Sequence, residues 1–127
     1  MKSQLERWLE RAEMAGKHLR SLPGAWKGRR QFDHVERYCM FLGYPRSSHT
    51  LLGALLDAHP DMVVAQELDV LRHLRFRYSR EQLYALLIQR SRWFASRGWK
   101  WMGYSYAVPG QWQGRHRSLR EIGRAHV

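Results

Sequence analysis

Between Met40 and Glu67 the chain reads "MFLGYPRSSHTLLGALLDAHPDMVVAQE". Pro45, Arg46, Ser47, Ser48, His49 and Thr50 crowd the point where a short apolar run ends and a leucine-rich helical pattern begins. These residue types at such a junction suit the binding of an anion. A helix N-terminus has unpaired N–H donors and a partial positive charge. A strand that feeds a turn and then a helix aims those donors at one point beyond the strand's carboxyl end. Arg46 adds a full charge, Ser47, Ser48 and Thr50 add hydroxyls, and His49 adds a ring donor. The alternative for Arg46 is a solvated surface arginine, which the strand–turn–helix setting disfavours. The nucleotide-binding pattern G-x-x-x-x-G-K-[ST] can be laid on the segment from Gly43, with Thr50 on its last position. Ser48 then replaces the second glycine and His49 the lysine. A nucleotide triphosphatase or kinase needs that lysine on its phosphates, so a P-loop kinase ranks below other anion-binding readings.

The elements that must position this turn follow from periodicity. Val35–Leu42 reads as a strand, Thr50–His59 as a helix stopped by His59-Pro60, and Met62–Ala65 as a second strand. Leu51, Leu52, Leu55 and Leu56 form the expected apolar face of that helix. Strand–helix–strand at this length is one βαβ unit, so adjacent parallel strands with a right-handed crossover are expected. A helix is expected over about Leu68–Phe76. Ser79 with Gln82 forms a capping-box signature for a further helix carrying Leu83, Leu86, Leu87 and Phe94. Upstream, Leu5, Trp8, Leu9, Ala12 and Leu19 recur at helical spacing and predict an amphipathic packing helix over 3–20. Its rival, a membrane-surface helix, is disfavoured because acids alternate with bases. Leu22–Arg30 ("LPGAWKGRR") reads as a Pro/Gly-punctuated linker. The last third, with Trp99, Trp101, Tyr104, Tyr106 and Trp112, reads as irregular.

With 127 residues, 44% of them hydrophobic, the chain can form one domain with a modest core. No apolar run is long enough for a transmembrane segment, and the N-terminus lacks a secretory h-region. Cys39 is the single cysteine, which excludes an internal disulfide and a cysteine-based metal cluster and fits a cytoplasmic location. A formal charge of +11 favours anionic partners. The arginines are spread over several elements, where a nucleic-acid binder would show a basic stripe with exposed aromatics. No nucleic-acid partner is therefore expected, and a basic polyanion- or RNA-binding module stands as the second reading.

"GYPRSSHTLLGALLDAHPDMVVAQE" resembles the 5′-phosphosulfate loop of sulfotransferases that use 3′-phosphoadenosine 5′-phosphosulfate (PAPS), bacterial members above all. That loop runs roughly Pro-Lys/Arg-Ser-Gly-Thr-Thr/Ser, and Pro45, Arg46, Ser47 and Thr50 match it. Ser48 stands where glycine is usual and His49 where threonine is usual. The similarity extends over Val35–Glu67, about a quarter of the chain, and "GYSYAVPGQWQ" (Gly103–Gln113) also looks like bacterial members. The resemblance implies a partial P-loop-like three-layer α/β fold, with one parallel βαβ unit flanked by helices. It also implies transfer of a sulfonate group from PAPS to an acceptor hydroxyl or amine, without a metal. Arg46 would stabilise the leaving phosphate, and Ser47, Ser48, His49 and Thr50 would hold the phosphosulfate. Several members place a glutamate base after the second strand, so Glu67 is the candidate base, with His49 second. The competing reading of Glu67 is a first-turn acid of the next helix. Tyr104, Tyr106 and Trp112 are read as core or lid aromatics, with an acceptor-pocket wall as the alternative. His59 reads as a helix-end residue and His73 as exposed.

The family's 3′-phosphate is held by an arginine and a serine on a later strand and helix, for which no counterpart is found before Val127. Residues 1–30 are accordingly read as the N-terminal helix and linker. Residues 31–127 are read as the N-terminal part of a sulfotransferase domain, truncated at the C-terminus and inactive by itself. Glu121–Val127 ("EIGRAHV") can be reverse-translated as GAG ATC GGA AGA GCA CAC GTC, a widely used sequencing-adapter sequence whose next codon in frame is a stop. The expectation is that residues 121–127 are an adapter-derived tail, with two alternatives open: a native basic C-terminus, or a junction that leaves Glu121–Gly123 native.

Overall fold

The computed structural model describes residues 1–41, 48–66 and 68–125. In chain order the elements are α1 (Gln4–Phe32), β1 (Arg37–Met40), α2 (His49–Asp57), β2 (Met62–Gln66), α3 (Val70–Arg75), α4 (Arg80–Ser96), β3 (Lys100–Trp101), β4 (Tyr104–Ser105) and β5 (Glu121–Ala125). The chain is mixed α/β around a three-stranded parallel sheet of order β1-β5-β2. α4 packs on one face of the sheet and α1 packs on α4. Val63 and Ala65 of β2 share a core with Leu83, Leu86 and Leu87 of α4. Side chains alternate along a strand, and Val64 accordingly lies beside Leu56 of α2, on the opposite face.

β1 and β2 are parallel as expected, but they are not neighbours. β5 lies between them, with Ile122 opposite both Tyr38 and Val63. Glu121–Ala125 carries one β-branched residue and no alternation, so nothing local marks it as a strand. Pairing on both sides confers that state, and since β5 falls within the stretch expected to be an adapter-derived tail, its place at the centre of the sheet takes up the alternative of a native C-terminus. β1 is an edge strand with Arg37, Tyr38 and Cys39 exposed, not the buried strand its apolar end suggests. The irregular reading of the last third is further corrected by a small hairpin. Lys100 pairs with Ser105 and Trp101 with Tyr104, across Met102 and Gly103, which both have positive φ, as a two-residue type I′ turn requires.

A Cβ placed on Gly123 would meet the Cys39 carbonyl oxygen at 2.6 Å. Gly123→Ala is therefore expected to push β1 off β5 and to destabilise the fold by about 1–3 kcal/mol, the usual range for overpacking. Urea unfolding of the variant measures this, and an unchanged midpoint would contradict the close β1–β5 approach.

Two helices bury faces other than the expected ones. In α2, Leu51, Leu52 and Leu55 are exposed, and Thr50, Gly53, Ala54 and Asp57 are buried. The small residues let the helix axis approach the sheet, and Trp99, stacked on Phe94, fills the space beside Ala54. In α1 the leucines and tryptophans lie outside, and the buried stripe is Met14, Ser21, Ala25, Gly28 and Phe32. The expected linker at Leu22–Arg30 is helical, straight through Pro23. Gly24 and Gly28 serve as contact residues there. A Cβ on Gly24 would stand 3.3 Å from Ala85 of α4, and one on Gly28 would strike the Phe32 ring. A proline inside a helix costs about 3 kcal/mol, which the packing of α1 on α4 offsets.

The α4 reading holds. Ser79 and Gln82 form the capping box, and Leu83, Leu86, Leu87 and Phe94 are buried. Gln82 also donates from Nε2 to His18 O (3.2 Å) and Ser21 Oγ (3.1 Å), so the cap residue ties α4 to α1. His73, expected outside, is buried in α3, with Nδ1 2.6 Å from Asp69 O and its ring edge-on to Tyr78. His59 is a helix-end residue as expected, its Nδ1 accepting from the Asp61 N–H.

Candidate functional site at the carboxyl edge of the sheet

Because the three strands are parallel, Met40, Gln66 and Ala125 end at one edge. α2 starts there. Its N-cap, Ser48, sits in the left-handed region at φ 60°, ψ 21°, and its side chain makes no capping hydrogen bond. Glycine adopts that conformation freely, whereas an L-residue pays about 1–2 kcal/mol. This strain falls on the position where the phosphosulfate loop usually has glycine. Among the described residues, the N-cap side chain does not occupy the first-turn N–H groups, which suits them to an anion.

The second turn-facing residue, Thr50, is buried, and its Oγ1 accepts from Gln66 Nε2 at 3.0 Å. This bond joins the start of α2 to the end of β2. Gln66 O in turn accepts from Arg90 Nε of α4 at 3.3 Å. Arg124, near the end of β5, is buried and donates from Nη1 to Leu68 O at 3.0 Å. Its Nε, like His49 Nδ1, is buried without a hydrogen-bond partner among the described residues. Lys17 reaches the same side and lines a cleft with Leu68, Arg90 and Trp93. Burial, followed by the Arg90 guanidinium, holds the Lys17 ammonium below its ordinary value. Two guanidinium groups and a helix N-terminus therefore flank the end of β2, a setting that favours negative charge.

Of the site residues expected from the sequence, Ser48, His49 and Thr50 lie at this edge. Arg46, Ser47 and Glu67 fall outside the described residues, Arg46 and Ser47 between Phe41 and Ser48, Glu67 directly after Gln66. The sequence reading missed Gln66, Arg90 and Arg124. An arginine ten residues past the start of a helix carries no local mark, although polar Gln66 ending the apolar run Met62–Ala65 is a usable signal.

The aromatic segment lies elsewhere. Gln113 Nε2 donates to Ala54 O (2.9 Å) and Tyr106 O (2.9 Å), and its Oε1 accepts from the Val108 N–H (2.9 Å). The Trp112 N–H bonds Ala58 O at 3.1 Å. Gly103–Gln113 thus covers the C-terminal half of α2, and Ala58 is about 13 Å along the helix from His49 at ~1.5 Å per residue. Tyr106 packs with Phe94 and Trp99, Tyr104 is exposed, and Arg115 stacks on Trp112. The core reading holds for Tyr106 and not for Tyr104, and the segment serves to satisfy carbonyls of α2's C-terminal half.

Asp57 anchors that end. Its Oδ1 accepts from the Val64 N–H (2.9 Å) and Ser91 Oγ (2.9 Å), and its Oδ2 from the Gly114 N–H (3.1 Å). Gly114 has φ 76°, and a Cβ there would strike Ala95, so only glycine presents that N–H. Burial raises the Asp57 carboxyl from 3.8 to about 6, against the lowering effect of these hydrogen bonds. Among the described residues, no group of three His, Cys, Asp or Glu side chains is placed to hold a metal.

Compared with protein-family models, curated proteins and solved structures, the chain finds no match.

Proposed function

We propose that this chain forms the donor-binding part of a PAPS-dependent sulfotransferase with a P-loop-like fold. The observation that carries the reading is the uncapped N-terminus of α2 at the carboxyl edge of a parallel sheet. It coincides with the segment whose sequence resembles the phosphosulfate loop. In this reading the N–H groups of α2's first turn, the hydroxyls of Ser47, Ser48 and Thr50, and His49 hold the phosphosulfate. Arg46 stabilises the charge that develops on the leaving phosphate oxygen as the sulfonate moves to the acceptor. Glu67, next to Gln66 at the end of β2, accepts the proton of the acceptor hydroxyl or amine. Gln66 positions Thr50, and Arg90 and Arg124 add positive potential at the edge. The strand order supports the same fold, since a parallel strand between β1 and β2 is what right-handed crossovers on both sides of a sheet allow.

The test is calorimetric titration of a protein that also carries the 3′-phosphate site with adenosine 3′,5′-bisphosphate in magnesium-free buffer. Binding is expected without the metal, and Arg46→Ala is expected to weaken it by about 1.5–3 kcal/mol, the value of a charge-assisted hydrogen bond. Binding that requires both magnesium and a nucleoside triphosphate would favour the kinase reading instead.

A further inference from the structure

The 29-residue helix α1 carries two unlike faces. One is the buried stripe on α4. The other is apolar and exposed: Leu5 (65%), Trp8 (63%), Leu9 (51%), Leu19 (67%), Leu22 (44%) and Trp26 (67%). At ~100° per residue the two stripes point roughly 150° apart, so the outer one cannot reach the core. It extends over most of a rod about 43 Å long.

The charges on α1 sort by side. The three acids turn away from the outer stripe. Glu6 caps Ser3, Glu10 bonds Arg72 of α3 and Lys2 (both 3.0 Å), and Glu13 lies 3.7 Å from Arg72. The outer stripe is bordered by bases, Arg11 and Arg29 on one side and Arg20 and Lys27 on the other, all exposed. Arg29 lies over the Trp26 ring at 3.8 Å. The acids thus gather in three dimensions on the side that Arg72 and Lys17 share, leaving the apolar outer side flanked by bases. No helix among the described residues is long and apolar enough to cross a membrane.

We propose that the outer face of α1 lies on an anionic lipid bilayer, with its leucines and tryptophans at the headgroup–acyl boundary and its arginines and lysines on the lipid phosphates. Tryptophan and leucine on one face with basic borders suits that interface. Basic borders also argue against a second copy of the chain, because antiparallel or parallel pairing of two such stripes would set base against base in a protein of net charge +11.

The test is cosedimentation with vesicles of phosphatidylcholine alone or with about a third phosphatidylserine. A Trp8→Ser/Leu19→Ser variant and sedimentation equilibrium without lipid complete it. Both substituted residues are exposed, so folding, checked by circular dichroism, is expected to persist. The 127-residue chain should bind the phosphatidylserine vesicles at least tenfold more tightly than the neutral ones, and the variant should lose at least tenfold of that binding. Equal binding by the folded variant would reduce the contact to charge alone and overturn the proposal. A dimer without lipid that Trp8→Ser/Leu19→Ser dissociates would overturn it in favour of a second copy.

Discussion

Replacing Asp57 with alanine is expected to lower the unfolding free energy by about 3–5 kcal/mol, because it leaves the buried Val64 N–H, the buried Ser91 hydroxyl and the half-buried Gly114 N–H without their acceptor. A domain of this size has only about 5–15 kcal/mol in total, so the melting temperature should fall by roughly 10–20 °C. A loss under about 1 kcal/mol would contradict the anchoring role. The effect should also depend on pH. Burial raises the folded-state value to about 6 from 3.8, so the folded chain holds this proton more tightly than the unfolded chain. Stability from this group is fully present below about pH 4 and is lost as pH rises through about 6. The change amounts to about 3 kcal/mol at ~1.36 kcal/mol per pH unit. The gap between wild type and Asp57→Ala should therefore be wider at pH 4 than at pH 7. A gap that narrows on acidification would show that the carboxylate, not the carboxylic acid, is the favoured buried form.

Glu67→Gln carries the second large effect, on rate and not on stability. If Glu67 accepts the acceptor proton, turnover of a protein that also carries the 3′-phosphate site should fall in a sulfonation assay by roughly 10²–10⁴-fold, the range for loss of a general base, while residues 1–127 alone should show none in either form. The bisphosphate affinity should hold, because glutamine keeps the shape and a hydrogen-bonding oxygen while the phosphate contacts come from α2. Unfolding of the variant, followed in parallel, separates this from a helix-capping role, which would appear as lost stability. Near-normal turnover in a folded Glu67→Gln protein would remove Glu67 as base and turn attention to His49.

The parts of this fold that can be read in the sequence are those whose signals are local. Ser79 and Gln82 announce α4 because a capping box is made within four residues. Met62–Ala65 reads as a strand because it is covered on both faces. The start of α2 reads correctly because its chemistry is local as well. What escapes the sequence depends on partners. β5 is a strand only between β1 and β2. The leucines of α1 and α2 advertise faces that the core does not use, since Gly24, Ala25, Gly28, Gly53 and Ala54 allow closer packing. "DAHP" was legible as a helix stop, but nothing in it reveals that Asp57 reaches β2, α4 and the Gly114 turn. Arg90 and Arg124 join the site from positions far along the chain, the first by the packing of α4 on β2 and the second by the register of β5.

Backbone amide shifts report most directly on whether the α2 N-terminus is the phosphosulfate site. Adding adenosine 3′,5′-bisphosphate in magnesium-free buffer should shift the amide resonances of Ser48, His49, Thr50 and Leu51 together, with saturation, while those of Val108–Gly114 at the far end of α2 stay in place. Shifts confined to α1 or scattered over exposed arginines, with the α2 amides unmoved at saturation, would contradict it.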